Sequence, residues 1–208
     1  MHIIRPSSEA EMIREFLRME MASPRYEAEI SAALAKHGAT AKLLLDADLS
    51  SDTENRLRRE VLGSFRGYGQ NRGLFERFPR QVDWYRAEMT AADLPQLCYI
   101  DYSYWNELSH HTGSPLMAAK TVESGLSIYD VPNDQFHEAR RQLQEGRRFP
   151  TLILLGERLP EKSKGTVWYL LEGHVRATAY AMAPECMDQA PVLLGIADQS
   201  ELQYWHDG

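Results

Sequence analysis

The segment Leu171-Glu172-Gly173-His174-Val175-Arg176 gathers the side chains that can hold and process an anion. A glycine between an apolar strand and a helix lets a ligand approach the backbone, and the N–H groups at a helix N-terminus attract negative charge. His174 can donate a hydrogen bond or move a proton near neutral pH, and Arg176 can grip a phosphate or carboxylate with two parallel N–H groups. Glu172 can serve as a base or as a metal-bridging carboxylate. A purely structural role is the alternative: Gly173 makes the turn, Glu172 and His174 cap the helix, and Arg176 faces solvent.

A second set of polar residues, Asp130, Asn133, Asp134 and Glu138, precedes and opens a helix. A carboxylate placed opposite a bound phosphate can deprotonate an acceptor hydroxyl or hold Mg2+, whereas Asn133 or Asp134 can equally be an ordinary helix cap. Gly63, Gly67, Gly69 and Gly73 alternate with Arg66, Tyr68, Asn71 and Arg72, which suits a loop with several positive-φ positions over 63–73. Such a loop can bring Arg66 to an anion or be a surface turn. Arg56, Arg58, Arg59, Arg66, Arg72, Arg77 and Arg80 read as a solvated face diluted by Glu54, Glu60 and Glu76. Two aromatic groups, Phe75 to Tyr85 and Tyr99 to Trp105, are packing residues or a stacking platform for a base. His110 and His111 fit a polar turn better than a metal site, and no metal-ligand spacing is present.

The elements that must position these residues are marked by their caps. Ser8 with Glu11 opens a helix over about 9–21, and Ser23-Pro24 opens a second that stops at Gly38. The run 40–45 is a short strand or a helical turn. Ser51 with Glu54 starts a third helix ending at Gly63, and Ser114-Pro115 starts another ending at Gly125. Beyond 125 the pattern becomes regular: extended 126–131, helix 133–145 before Gly146, strand 151–155, a charged turn 156–165, strand 166–171, helix 174–182 and strand 191–196. The expected fold is α+β, with a mainly helical part at 1–125 packed on a small α/β module at 126–208.

The module resembles the ParB-like, sulfiredoxin-like superfamily over about 126–197. The resemblance rests on Ile128-Tyr129-Asp130-Val131-Pro132-Asn133-Asp134 leading into a helix, on Gly146, Phe149-Pro150 and an apolar strand, and on Leu171 to Ala179. It implies nucleotide binding, with a phosphate resting on the turn. Gly173, His174 and Arg176 match the phosphate-binding positions. It groups the chain with nucleotide-hydrolysing partition proteins, sulfiredoxins and free-serine kinases. The turn lacks the cysteine that sulfiredoxins carry, which argues against sulfinic acid reduction, and the few residues after 196 leave no room for the DNA-binding domain of a partition protein.

The resulting expectation is a phosphotransferase or NTPase that binds a nucleoside tri- or diphosphate, with Mg2+, and acts on a small-molecule acceptor or water. His174, Glu172 and Asp134 are its candidate catalytic residues, and Gly173, His174, Arg176, Asp130, Asn133 and Arg66 its candidate nucleotide-binding residues. A non-enzymatic nucleotide-sensing regulator is the alternative, and a ParB-like nuclease a third. The 208 residues carry a net charge of −7, which disfavours a nucleic-acid partner. The composition is that of a globular protein, with 43% hydrophobic residues. Two distant cysteines and the lack of a long apolar run point to a reducing, cytoplasmic setting and no membrane partner.

Overall fold

A computed structural model describes residues 1–157 and 167–206, with side chains described as far as Leu202. The chain divides into two compact units, one of Met1–Pro6 with Tyr85–Gly208 and one of Ser7–Trp84. The boundary expected at 125 thus falls inside the first unit, because residues 85–125 group with the sheet. No helix among the described residues is long and apolar enough to cross a membrane.

The Ser7–Trp84 unit is helical, with α1 (Glu9–Met21), α2 (Glu27–Lys36), the single turn α3 (Lys42–Leu45) and α4 (Asp52–Arg66). The Ser8 and Ser51 side chains accept from the Glu11 and Glu54 N–H groups, so both expected N-caps form. Helix α2 begins later than the Ser23-Pro24 signal, after a turn over 23–26, and ends at Gly38 with φ 67°. Met12, Phe16, Ile30, Leu34, Leu44, Val61 and Leu62 are buried in this unit, and Phe75 packs on Phe16 and Tyr68.

Two expectations here are corrected. Gly63 lies within α4, and the left-handed cap is Gly67 at φ 87°, so the glycine-rich loop starts four residues later. Of the seven arginines expected on a solvated face, Arg56, Arg59, Arg72, Arg77 and Arg80 are exposed, but Arg58 is not. Arg58 is fully buried and donates to the Leu43 and Asp48 carbonyls at 2.9 and 2.8 Å, which ties α3 and its following loop to α4.

The other unit is built on a six-stranded sheet in the order β1 (His2–Pro6), β2 (Asp83–Met89), β6 (Ala190–Ala197), β4 (Leu152–Glu157), β5 (Trp168–Glu172), β3 (Leu97–Tyr99). Strands β4 and β6 are parallel, β4 and β5 antiparallel, and β5 and β3 parallel. The mixed sheet with helices accords with the expected α+β class, but three of its strands come from the part expected to be mainly helical. The strand expected over 166–171 is β5, and the charged turn expected over 156–165 lies, from 158 on, outside the described residues.

Helices α5 (Ser103–Leu108), α6 (Pro115–Glu123), α7 (Asp134–Gln144) and α8 (His174–Met182) belong to this unit, and α8 packs against both α6 and α7. Alternation along the strands sends Leu97, Leu152, Leu154, Leu170, Val192 and Leu194 into one cluster with Leu108, Val122, Phe136, Leu143 and Ala177 of the helices. Each fully buried leucine contributes about 1.5–3 kcal/mol. A short helix α9 (Gln199–His206) lies against β4.

Candidate functional site

The chain passes from β5 into α8 through Gly173, which has φ 105° and ψ 24° and serves as the N-cap. A side chain at this position would overlap Leu152 Cδ2 and crowd the Arg176 guanidinium, so glycine is required by both conformation and space. No side chain caps the helix at this residue, and its first backbone bond runs from the Ala177 N–H to the Gly173 carbonyl at 2.8 Å. The positive end of the helix dipole therefore lies at a position without a side chain. Strand β3 runs parallel to β5, with Tyr99 paired to Leu170, so the carboxyl ends of both strands open where α8 begins. Ligands of parallel sheets collect at such ends.

His174, the first residue of α8, sits in a three-ring cluster. Its ring stacks on Trp105 at 4.7 Å and 22° and on Tyr99 at 5.4 Å and 26°, and the latter two rings are 5.0 Å apart. Tyr99 is fixed in turn, because its hydroxyl lies 2.6 Å from Thr178 Oγ1. The single hydroxyl hydrogen of Thr178 is directed to the His174 carbonyl at 2.8 Å, so Tyr99 donates and Thr178 accepts. Burial pushes the Tyr99 phenol well above its ordinary range. The first turn of α8 is thereby bound to the end of β3.

Arg176 is engaged by the protein itself. Its Nη1 donates to the Pro150 and Thr151 carbonyls at 2.9 and 2.8 Å, and its Nη2 pairs with Glu172. Both side chains are largely buried, at 14% and 17% exposure. Arg86 Nη1 reaches Thr151 Oγ1 at 3.0 Å, so one residue before β4 joins two guanidinium groups. Arg176 closes the turn onto the start of β4, and Glu172 is its counter-charge.

The second set of expected residues is dispersed. Ile128 and Val131 bridge across a tight turn in which Tyr129 and Asp130 have φ 51° and 58°, so the run expected to be extended is a hairpin tip and Asp130 is exposed on it. Asn133 is the N-cap of α7 yet makes no side-chain cap bond. Its Nδ2 instead donates to the Leu126 carbonyl at 2.9 Å, while Oδ1 is buried without a partner. Asp134 is exposed at the first position of α7, and Glu138 points outward to Arg141 at 2.7 Å.

The first turn of α7 does approach the ring cluster, through Phe136 at 6.2 Å from Trp105. Burial pushes the Tyr104 phenol up, and the Gln135 amide beside it pulls it partly back. Arg66 belongs to the helical unit, where it pairs with Glu20 and lies over the Tyr26 ring at 4.1 Å.

Among the described residues, no group of three or more His, Cys, Asp or Glu side chains is placed to hold a metal ion. Sequence reading singled out the turn itself, placed Thr178 farther into the helix as a packed or supporting residue, and took the aromatic run 99–105 for packing or a stacking platform, but it did not find Thr151. Comparison of the chain with protein-family models, with curated proteins and with solved structures gives no match in any of the three.

Proposed function

We propose that the sheet unit is a ParB/sulfiredoxin-like module that binds the phosphates of a nucleoside tri- or diphosphate at the start of α8 and transfers a phosphoryl group to a small acceptor or to water. The observation that carries this reading is Gly173. Its left-handed backbone and lack of room for a side chain place the N-terminus of α8 at the carboxyl ends of β3 and β5. His174, held by Trp105 and Tyr99, is the side chain that would donate to a phosphate oxygen or carry its proton.

The role of Arg176 in this reading is to support the turn, since its guanidinium already serves Glu172 and two carbonyls. Asp134 remains as the candidate acceptor-side carboxylate. Mg2+ would arrive as the nucleotide's own counter-ion, because the described residues build no cage for it. The two thiols, Cys98 and Cys186, are unpaired with each other, which suits a reducing, cytoplasmic setting.

A nucleotide-sensing regulator without turnover is favoured by one feature, the Glu172–Arg176 pair, which keeps the nearest carboxylate from acting as a base. Titration calorimetry with ATP, ADP and CTP, each with Mg2+, tests both readings. Binding by at least one nucleotide, weakened in His174→Ala, is expected. No heat from any of the three with folded protein overturns nucleotide binding. Phosphate release, or phosphorylation of an added acceptor, then separates the enzyme from the sensor.

A further inference from the structure

The helical unit contains a grouping that the nucleotide reading does not use. Ser64 lies near the end of α4, and its Oγ is 2.6 Å from His37 Nε2. The other ring nitrogen, His37 Nδ1, is 3.6 Å from Glu60 Oε2. Glu60 and Ser64 are one helical turn apart on α4 and so share a face. His37 is the C-cap residue of α2, which packs against α4, and Gly38 ends the helix directly behind it.

A carboxylate beside Nδ1 favours the tautomer with its proton there, which leaves Nε2 as an acceptor facing the Ser64 hydroxyl. The same Oγ donates its one hydrogen to the Glu60 carbonyl at 2.8 Å, the usual back-bond of a helical serine, so attack requires that hydrogen to rotate onto His37 Nε2. Gly63 next to Ser64 lets the following loop fold back: a Cβ there would meet Tyr68 O and Gln70 Nε2, both at 2.9 Å. That loop delivers Arg72, whose Nη2 donates to the Gly63 and Ser64 carbonyls at 3.0 and 3.3 Å. Among the described residues, Arg72 has no carboxylate partner, so its charge beside Ser64 is balanced only by neutral oxygens. His37 is 21% and Glu60 50% exposed, which leaves the group open to a small reagent.

The geometry points to a nucleophilic centre in which Ser64 attacks small carboxylic esters, with His37 as base, Glu60 orienting the imidazole and Arg72 supplying positive charge for the developing oxyanion. In the step, the Ser64 Oγ–carbon bond forms as the hydroxyl proton passes to His37 Nε2. The ester's carbon–alkoxy bond breaks, and the alcohol leaves with that proton. Water, deprotonated by the same imidazole, then releases the acid and restores Ser64.

The test is labelling of the full chain with a fluorophosphonate at pH 8, read residue by residue by mass spectrometry, together with p-nitrophenyl acetate hydrolysis. An adduct on Ser64 is expected, absent in Ser64→Ala and formed about a hundredfold more slowly in His37→Gln, which keeps a hydrogen-bonding amide but no base. Glu60→Gln slows labelling by about tenfold. As an independent measure, iodoacetamide alkylates the thiol of a Ser64→Cys variant at least about tenfold faster than the same thiol in a His37→Gln background. A folded wild-type chain with no Ser64 adduct overturns the proposal, as does labelling or alkylation at an undiminished rate in the His37→Gln backgrounds. In either case the pair is a hydrogen-bonded staple between α2 and α4.

Discussion

The Tyr99 hydroxyl and Thr178 Oγ1 lie 2.6 Å apart in the interior, joining the last residue of β3 to α8. The bond is asymmetric, because Thr178 has a second partner in the His174 carbonyl whereas, among the described residues, the Tyr99 hydroxyl bonds to Thr178 alone. Tyr99→Phe leaves Thr178 satisfied and should cost about 0.5–1.5 kcal/mol, whereas Thr178→Val strands a buried phenol and should cost about 1–3 kcal/mol. Urea unfolding of both variants checks the order, and a larger loss in Tyr99→Phe contradicts the assigned direction of donation.

Gly173→Ala should destabilise the protein by about 2 kcal/mol or more, through the left-handed backbone and the overlap with Leu152. The two causes separate in a double-mutant cycle. Leu152→Ala removes the overlap and not the backbone strain, so the penalty at 173 should shrink in that background without vanishing.

Arg176→Ala removes the counter-charge of a largely buried Glu172 and the donor to two carbonyls. A loss of about 3 kcal/mol is expected, and Arg176→Lys should recover only part of it because an ammonium lacks the planar fork. Thermal melts compared with nucleotide titrations discriminate between roles. Unchanged stability with lost nucleotide binding would show a ligand-gripping arginine instead of a latch.

At low pH the carboxyl of Asp93 sets one contribution. Burial pushes it up, but the Met1 ammonium and the Thr90 N–H outweigh burial and hold it below its ordinary value of 3.8. The unfolded chain then binds a proton more readily than the folded one, so this stabilisation is complete above that value and is lost as pH falls through the folded pKa. Asp93→Asn should therefore lower stability at neutral pH and flatten the decline below the ordinary carboxylate range, as measured by urea midpoints at stepped pH.

What the sequence made legible was local. Ser8, Ser51 and Gly38 mark helix ends through contacts within a few residues, and the Gly173-His174 start of α8 is of the same kind. Strand β1 escaped because His2–Pro6 is exposed along its whole length and has no apolar alternation to read. Strand β3 is three residues long. The protein partners of Arg176 and Arg58 escaped for a related reason. A guanidinium whose partners are carbonyls supplied by the fold, at Pro150, Thr151, Leu43 and Asp48, has the same letter as one in solvent. The Ser64–His37 pair spans 27 positions and follows no spacing rule.

Strands β1 and β2 are antiparallel neighbours with Pro6 paired to Tyr85, yet all of Ser7–Trp84 lies between them in the chain. The helical unit is thus the connection of a β-hairpin, grown to domain size. Closing such a loop costs only about 0.6 kcal/mol more for each doubling of its length, so the sheet tolerates the excursion once its ends are brought together. The consequence concerns the order of assembly. Strand β1 docks most cheaply once Ser7–Trp84 has folded and set its two ends side by side, which makes β1 among the last strands to join the sheet.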